Sequence, residues 1–441
     1  MAEATRIRQG YIEALEALRL DELPSRPFTI GYVRAYAGLL AIVANATAAA
    51  PAELTFKTAR VGDPGNPSVS IVPFTDAIYS SCSAAPQTKA GCLAVGSVGS
   101  AYGIGELEVT VSQWVAFLNT VDPAGKDRHD LYDSTESSAS WPRFGQIDFS
   151  SKARPGHHYR TGYPQWADKP YGFATFLRAA RFVNALTNGK VVAKAASSAG
   201  GFSFITYRVR LSRNTESGMY DLARHKRTGA TRARKRGFVV PSQNEWIKAA
   251  YFDPQGGGTL SYWKYPTNPG TFGDGTTDEP AATTLDPGNG DVTNAATQPV
   301  ATFKPSGGTA PHWCPSQVSS NTCETVNPFG LDPTAYQAAY TGSLGTVGQA
   351  KTRSPWGTLD QGGNAVEWTD TITAPPFGIK GGPRVWRRLH GGVPNSTAYQ
   401  MWITAVGLQP QDNVFYAHTY PWLGFRVGYI DGAASPPFTG R

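Results

Sequence analysis

The stretch Asp360-Gln-Gly-Gly-Asn364-Ala-Val-Glu367-Trp368 decides how this chain is read. Gly362 and Gly363 permit a tight turn, because a residue without Cβ enters backbone conformations closed to others. The turn delivers Glu367, a carboxylate set among exposed backbone carbonyls. That is hard-oxygen ligation of the kind that suits Ca²⁺. The same residues admit a second reading, a buried glutamate satisfied by hydrogen bonds. Two further signatures lie downstream, Arg388-Leu-His-Gly391-Gly392 and Leu423-Gly424-Phe425-Arg426-Val427.

Upstream, Gly237-Phe-Val-Val-Pro241-Ser242-Gln-Asn-Glu245-Trp246 reads as a buried strand that stops at Pro241 and passes into a helix. Ser242 caps that helix and Glu245, at its third position, completes a capping box. Glu245 is therefore expected to be structural, not an acid catalyst. Trp246, Ala249 and Ala250 face inward. Tyr102 to Thr110 alternates as a strand and leads into a helix over Val111–Asn119. Ser112 is its expected N-cap, and Trp114, Phe117 and Leu118 share its buried face. A second helical period runs from Phe173 to Leu186, and Asn188-Gly189 stops it.

These motifs, with the turn Thr215-Glu-Ser-Gly218-Met-Tyr220-Asp-Leu222, resemble the formylglycine-generating-enzyme (sulfatase-modifying factor) family. The resemblance runs from about residue 59 to residue 429. It implies an α+β, C-type-lectin-like fold, loop-rich with little regular secondary structure. The expected domain spans residues 53–430, with surface insertions at 121–168 and 254–350 and a tail at 431–441. The resemblance also implies structural calcium, held by the carbonyls of Gly363 and Ala365 and the side chain of Glu367. Enzymes of this family carry a copper-binding cysteine pair just after the double glycine. Those positions here are Ser396 and Met401. Neither side chain forms the thiolate that binds Cu(I). No copper and no formylglycine-generating activity are expected.

The four cysteines are Cys82, Cys92, Cys314 and Cys323. Their spacing fits no zinc pattern, and no histidine accompanies them. Two local disulfides, Cys82–Cys92 and Cys314–Cys323, are the simple reading, and they imply an oxidising compartment. Four free buried thiols are the alternative. His129, His157 and His158 lie without a carboxylate at ligand spacing, so a metal site there is not expected.

Residues 1–52 read as a leader. Val33 to Ala48 has a basic residue, an apolar stretch and an Ala-x-Ala end, as in a secretory signal peptide, with the upstream start mis-assigned. The competing reading makes this region two short helices, with Ile7, Tyr11, Ile12, Leu15 and Leu18 as an apolar stripe. No other segment is long and apolar enough for a membrane span.

The hydrophobic content of 40% excludes bulk disorder. A net charge of +7 admits acidic partners. The basic run Arg224-His-Lys-Arg227 to Arg232-Ala-Arg234-Lys-Arg236 has no aromatic platform or reading helix beside it, so no nucleic-acid partner is expected. The interval between the two C-terminal signatures mixes rigid aromatics with amides, as recognition surfaces do. Its candidate ligand-binding residues are Asn395, Tyr399, Gln411, Asn413, Phe415, Tyr416 and His418, while Trp402 and Trp422 are expected in the core. The leading reading is a secreted (extracellular or periplasmic) non-catalytic binder of a protein or glycan ligand. The alternatives are a divergent oxidase or accessory modifying factor, and a structural, appendage or retroelement-diversified receptor-binding protein on a phage or cell surface.

Overall fold

The computed structural model describes residues 8–16, 50–73, 91–139, 145–225, 229–256, 261–267, 279–295, 300–303, 344–374, 385–394, 397–411 and 421–432, with 23, 24, 75, 78, 79, 81, 82 and 305. Ten of its strands build two sheets. They are β1 (Glu53–Val61), β2 (Tyr102–Gly105), β3 (Lys190–Ala199), β4 (Phe202–Arg210), β5 (Gly237–Val239), β6 (Val366–Thr373), β7 (Trp386–His390), β8 (Gly407–Pro410), β9 (Leu423–Gly424) and β10 (Gly428–Ile430). The first sheet runs β5-β10-β2-β1-β4-β3 and is antiparallel throughout. The second runs β8-β7-β6-β9, with only the β6–β9 pair parallel.

Strand β1 shows why the first sheet has an inner face. Leu54 and Phe56 are buried while Glu53 and Thr55 are exposed, the period of two that a pleated strand imposes. Helices α2 (Val111–Val121) and α3 (Phe176–Thr187) supply the opposing aromatic layer. Trp114 stacks on Tyr171 at 4.3 Å, and Phe182 meets Phe56 edge-on at 5.9 Å. Each such ring, fully buried, contributes about 1.5–3 kcal/mol. The expected inward face of α2 is correct, since Trp114, Phe117 and Leu118 are all buried.

The expected cap of α2 is not. Thr110 is the N-cap, and Gln113 completes the box by accepting from the Thr110 backbone N–H at 3.0 Å. Ser112 lies inside the first turn, its hydroxyl 3.0 Å from that of Thr110. A capping box needs a partner three residues on, which Thr110 has in Gln113. The expected cap of α5 (Gln243–Tyr251), which follows the short α4 (Leu222–His225), is observed, with Ser242 and Glu245 bonded reciprocally.

Residues 121–168 are more than a surface insertion. Leu131, Ile147, Tyr159 and Trp166 join the main core. The histidines there do not converge. His158 is buried against the Ser150 carbonyl at 2.8 Å, His129 lies 3.5 Å from Glu216, and His157 is exposed. In 254–350, Ala281–Ala282 pairs parallel with Val300–Ala301. Cys82 and Cys92 form a disulfide with Cα atoms 5.6 Å apart. Cys314 and Cys323 lie outside the described residues. So does the leader stretch 33–48, while α1 (Gln9–Glu16) is helical with Ile12 and Ala14 buried. No helix among the described residues is long and apolar enough to cross a membrane.

Candidate functional site

The second sheet brings the three C-terminal signatures side by side. Glu367 on β6 pairs with His390 on β7 and with Gly424 on β9, and Arg426 follows two residues later. Glu367 and Arg426 are both fully buried. Arg426 reaches Glu367 Oε1 through Nη2 at 2.6 Å and Nε at 3.0 Å, and Oε2 through Nε at 2.7 Å. Trp246 Nε1 donates to Oε2 at 2.8 Å. The guanidinium also donates to the carbonyls of Gly105, Glu106 and Leu359. One buried side chain thus ties β2, the loop before β6, and β6 itself.

The Glu367 side chain does not fit its place in the expected calcium ligand set. Ca²⁺ draws carboxylate oxygens to about 2.3–2.6 Å, and both oxygens of Glu367 are already committed to N–H donors. Gly363 faces protein on its Cα side, where a Cβ would lie 2.3 Å from the Thr302 carbonyl, and its N–H donates to the Gly391 carbonyl. The positive charge that the carboxylate needs comes from Arg426. The hydrogen-bonded reading of Glu367 is the one this side chain adopts.

Two more acids crowd the same guanidinium. Asn364 bridges to Glu108, donating to Oε1 at 3.2 Å, and accepts from the Gly345 N–H at 2.8 Å. Glu108 Oε2 has no partner among the described residues. Burial holds the Glu108 carboxyl well above the usual range, and the nearby Asp360 charge adds to this. Burial likewise pushes Asp360 up to about 6, against the Gly348 N–H that it accepts and the pull of Arg426.

The copper positions are equally informative. Ser396 lies outside the described residues. Met401 is 1% exposed, in an apolar cluster with Tyr265, Ala301, Phe303 and Ala398. Its carbonyl accepts from the Tyr251 hydroxyl at 2.8 Å. A packed thioether fills the place where the family's second cysteine is expected. Two residues earlier the chain turns outward. Tyr399 is 46% exposed, with its ring edge-on to half-buried Trp402 at 6.5 Å. Tyr265 also meets Trp402 edge-on, at 6.4 Å, and the Lys264 ammonium sits 4.7 Å from its centroid.

Of the other candidates, Gln411 belongs to the frame and not to an exposed face. It is 2% exposed, and its amide oxygen accepts from Arg387 Nη2 at 3.2 Å and Nε at 3.3 Å. Asn395, Asn413, Phe415, Tyr416 and His418 lie outside the described residues. Trp422 is half-buried against the core.

The basic run divides in two. Arg234, Lys235 and Arg236 are exposed. Arg232 turns inward, with Nη1 and Nη2 on the two Glu245 oxygens at 2.8 and 2.6 Å and Nε on Asp370 at 2.6 Å. Asp370 also accepts from the Tyr220 hydroxyl at 2.9 Å. This network was not legible locally. Its only signal is that Glu245, already used in a cap, has a second oxygen to satisfy.

Residues 1–47 match the family model of a helix-turn-helix domain, over the stretch that also reads as a leader or as two short helices. No curated protein matches the chain significantly. Among solved structures, Treponema denticola variable protein 1 aligns with a TM-score of 0.38 at 16% identity, covering 86% of this chain and 99% of that one. CarF aligns with a TM-score of 0.33 at 14% identity, covering 86% of this chain and 98% of that one. Residues 95–427, well over half of the chain, match the model of the sulfatase-modifying factor enzyme 1-like domain. The chain belongs to that formylglycine-generating-enzyme-like family.

Proposed function

We propose that this chain is a non-catalytic, ligand-binding member of the family, and that its binding face begins at Tyr399 and Trp402. The observation that carries the reading is the contrast within one short turn. Met401, at a copper-cysteine position, is packed inward, while Tyr399 offers an open ring on a rigid support. The support is rigid because the flanking signatures are pinned by the buried Arg426–Glu367 pair. Asn395, Asn413, Phe415, Tyr416 and His418 belong to the same sequence interval and remain candidates from their residue types alone. The Cys82–Cys92 disulfide supports a secreted, extracellular or periplasmic setting.

Two experiments test this. Incubation with a Cys-x-Pro-x-Arg peptide, copper and oxygen is expected to give no aldehyde, and turnover on the order of 1 s⁻¹ would end the non-catalytic reading. A protein and glycan array should identify a ligand. The Tyr399→Ala/Tyr416→Ala variant should then bind it roughly tenfold more weakly or worse, with its melting temperature nearly unchanged. Unaltered affinity in that variant would place the site elsewhere.

A further inference from the structure

A cleft of about 770 Å³ opens beside the chain that follows α5. None of its lining residues lies between Gly391 and Val427. It is formed where four segments meet: the end of β1, the β3–β4 turn, the chain after α5, and the loop 353–356. Its size lies within the range of built small-molecule sites, about 300–1,000 Å³.

Its walls are aromatic and fixed. Trp263, Trp356 and Phe202 are each half-buried, so each keeps part of a ring face open to the cleft. Trp263 Nε1 donates to Asp253 Oδ2 at 3.3 Å, and Asp253 is held in turn by the Ser261 carbonyl, which accepts its N–H at 2.8 Å. Trp356 packs over Gly62, where a Cβ would stand 3.5 Å from the indole. Phe202 closes on Gly357, whose φ of +89° and contact distance of 2.6 Å to an added Cβ leave no room for a side chain. Arg353 is clamped by Glu106 at 2.8 Å and lies 5.9 Å from the Phe202 ring centroid.

The polar groups sort by sign. Arg60 and Arg353 are matched by Asp63 and Asp253, so the lining carries no net charge to draw an ion. Arg60, Asp63 and Gln255 are exposed at the rim. The Trp356 Nε1 donor is buried and has no acceptor among the described residues. A neutral ligand with apolar faces and hydroxyl edges suits flat rings interleaved with an amide, guanidinium and carboxylates. That is the chemistry of a saccharide.

We infer that this cleft binds a neutral oligosaccharide, its sugar faces stacked on Trp263 and Trp356 and its hydroxyls bonded by Arg60, Asp63 and Gln255. The site is separate from the face proposed above, and its test is built to keep the two apart. The whole chain would be titrated with maltotriose, cellotriose, chitotriose and mannotriose, following tryptophan fluorescence and, in parallel, saturation-transfer NMR. At least one trisaccharide should bind saturably, with Trp263→Ala weakening it roughly tenfold or more. Trp356→Phe shrinks the ring available for stacking, and Gln255→Ala sits at the rim without core contacts. Both should also weaken binding. Tyr399→Ala should leave it unchanged. No saturation by any of the four up to about 10 mM, above the concentration range of even weak specific binding, overturns the proposal. So does saturation that Trp263→Ala and Gln255→Ala leave untouched, or that Tyr399→Ala abolishes instead.

Discussion

Removing Arg426 should cost more than removing the charge of its partner. Three buried acids, Glu108, Asp360 and Glu367, share this one guanidinium. Arg426→Met leaves Glu367 with a single donor, Trp246, and takes a donor from three backbone carbonyls, of which Glu106 keeps the Leu359 N–H. Breaking a buried pair from one side costs about 3–5 kcal/mol, and the lost carbonyl bonds place this variant at or above the top of that range. Glu367→Gln is milder. The guanidinium keeps its carbonyl acceptors and the charges of Asp360 and Glu108, and the amide oxygen can still accept from Trp246. A cost nearer the bottom of the same range follows, about 3 kcal/mol. Equilibrium unfolding in urea, read by far-UV circular dichroism, gives both numbers if the two slopes agree with wild type. Running each titration with calcium and with chelator adds a second readout, expected to be null, because Arg426 holds both Glu367 oxygens. Equal costs for the two variants would refute the account of shared charge. A chelator-dependent midpoint in wild type that vanishes in Glu367→Gln would restore calcium to this carboxylate.

Three further outcomes follow from other parts of the fold. Asp360 is pushed up to about 6, above its unfolded value near 4. The folded state therefore binds more protons between those values, and this contribution to stability grows as pH falls from about 7 to 5 and fades as pH rises through 6. Asp360→Asn should lose that dependence, and a wild-type-to-variant difference that is constant across pH 5–7 would contradict it. Arg232→Ala should destabilise by about 3–5 kcal/mol, because it strands Glu245 and Asp370, whereas Arg234→Ala/Arg236→Ala should leave the unfolding midpoint where it is. Cys82→Ser/Cys92→Ser should lose about 2.5–3 kcal/mol, the chain entropy of a loop of roughly ten residues, and non-reducing peptide mapping should find the Cys82–Cys92 link in wild type.

The parts of the fold that were legible are those whose cause is local. The capping box of Ser242 and Glu245 is written in four consecutive residues, and the inward stripe of α2 in the five from Trp114 to Leu118. The α2 cap lies two residues before the expected Ser112 because both Thr110 and Ser112 can cap, and only the reach of Gln113 decides between them. The interior role of 121–168 was hidden for another reason. Its buried residues, Leu131, Ile147, Tyr159 and Trp166, are scattered among polar ones at no single period. Strand β3 was hidden for the opposite reason, since an edge strand exposed on both faces has no alternation to show.

The site illustrates where composition stops informing. Tyr399 and Gln411 look equally suited to recognition, yet one faces solvent and the other the core. Tyr399 is turned out by a 3₁₀ turn, in which Ala398 and Met401, three apart, take the inward side. Gln411 is turned in by Arg387, which lies on the neighbouring strand and stacks 3.4 Å from the Phe176 ring. Burial pulls the Arg387 guanidinium down to about 10, and a neutral amide oxygen meets its donors without adding another buried charge. Glu367 follows the same logic. A carboxylate after paired glycines admits a metal or a cation side chain, and the choice depends on an arginine 59 residues away. The frame therefore consumes those polar residues that meet a buried guanidinium. The proposed face has only side chains outside that frame to draw on, which is why Tyr399, and not Gln411, is the described residue on which it rests.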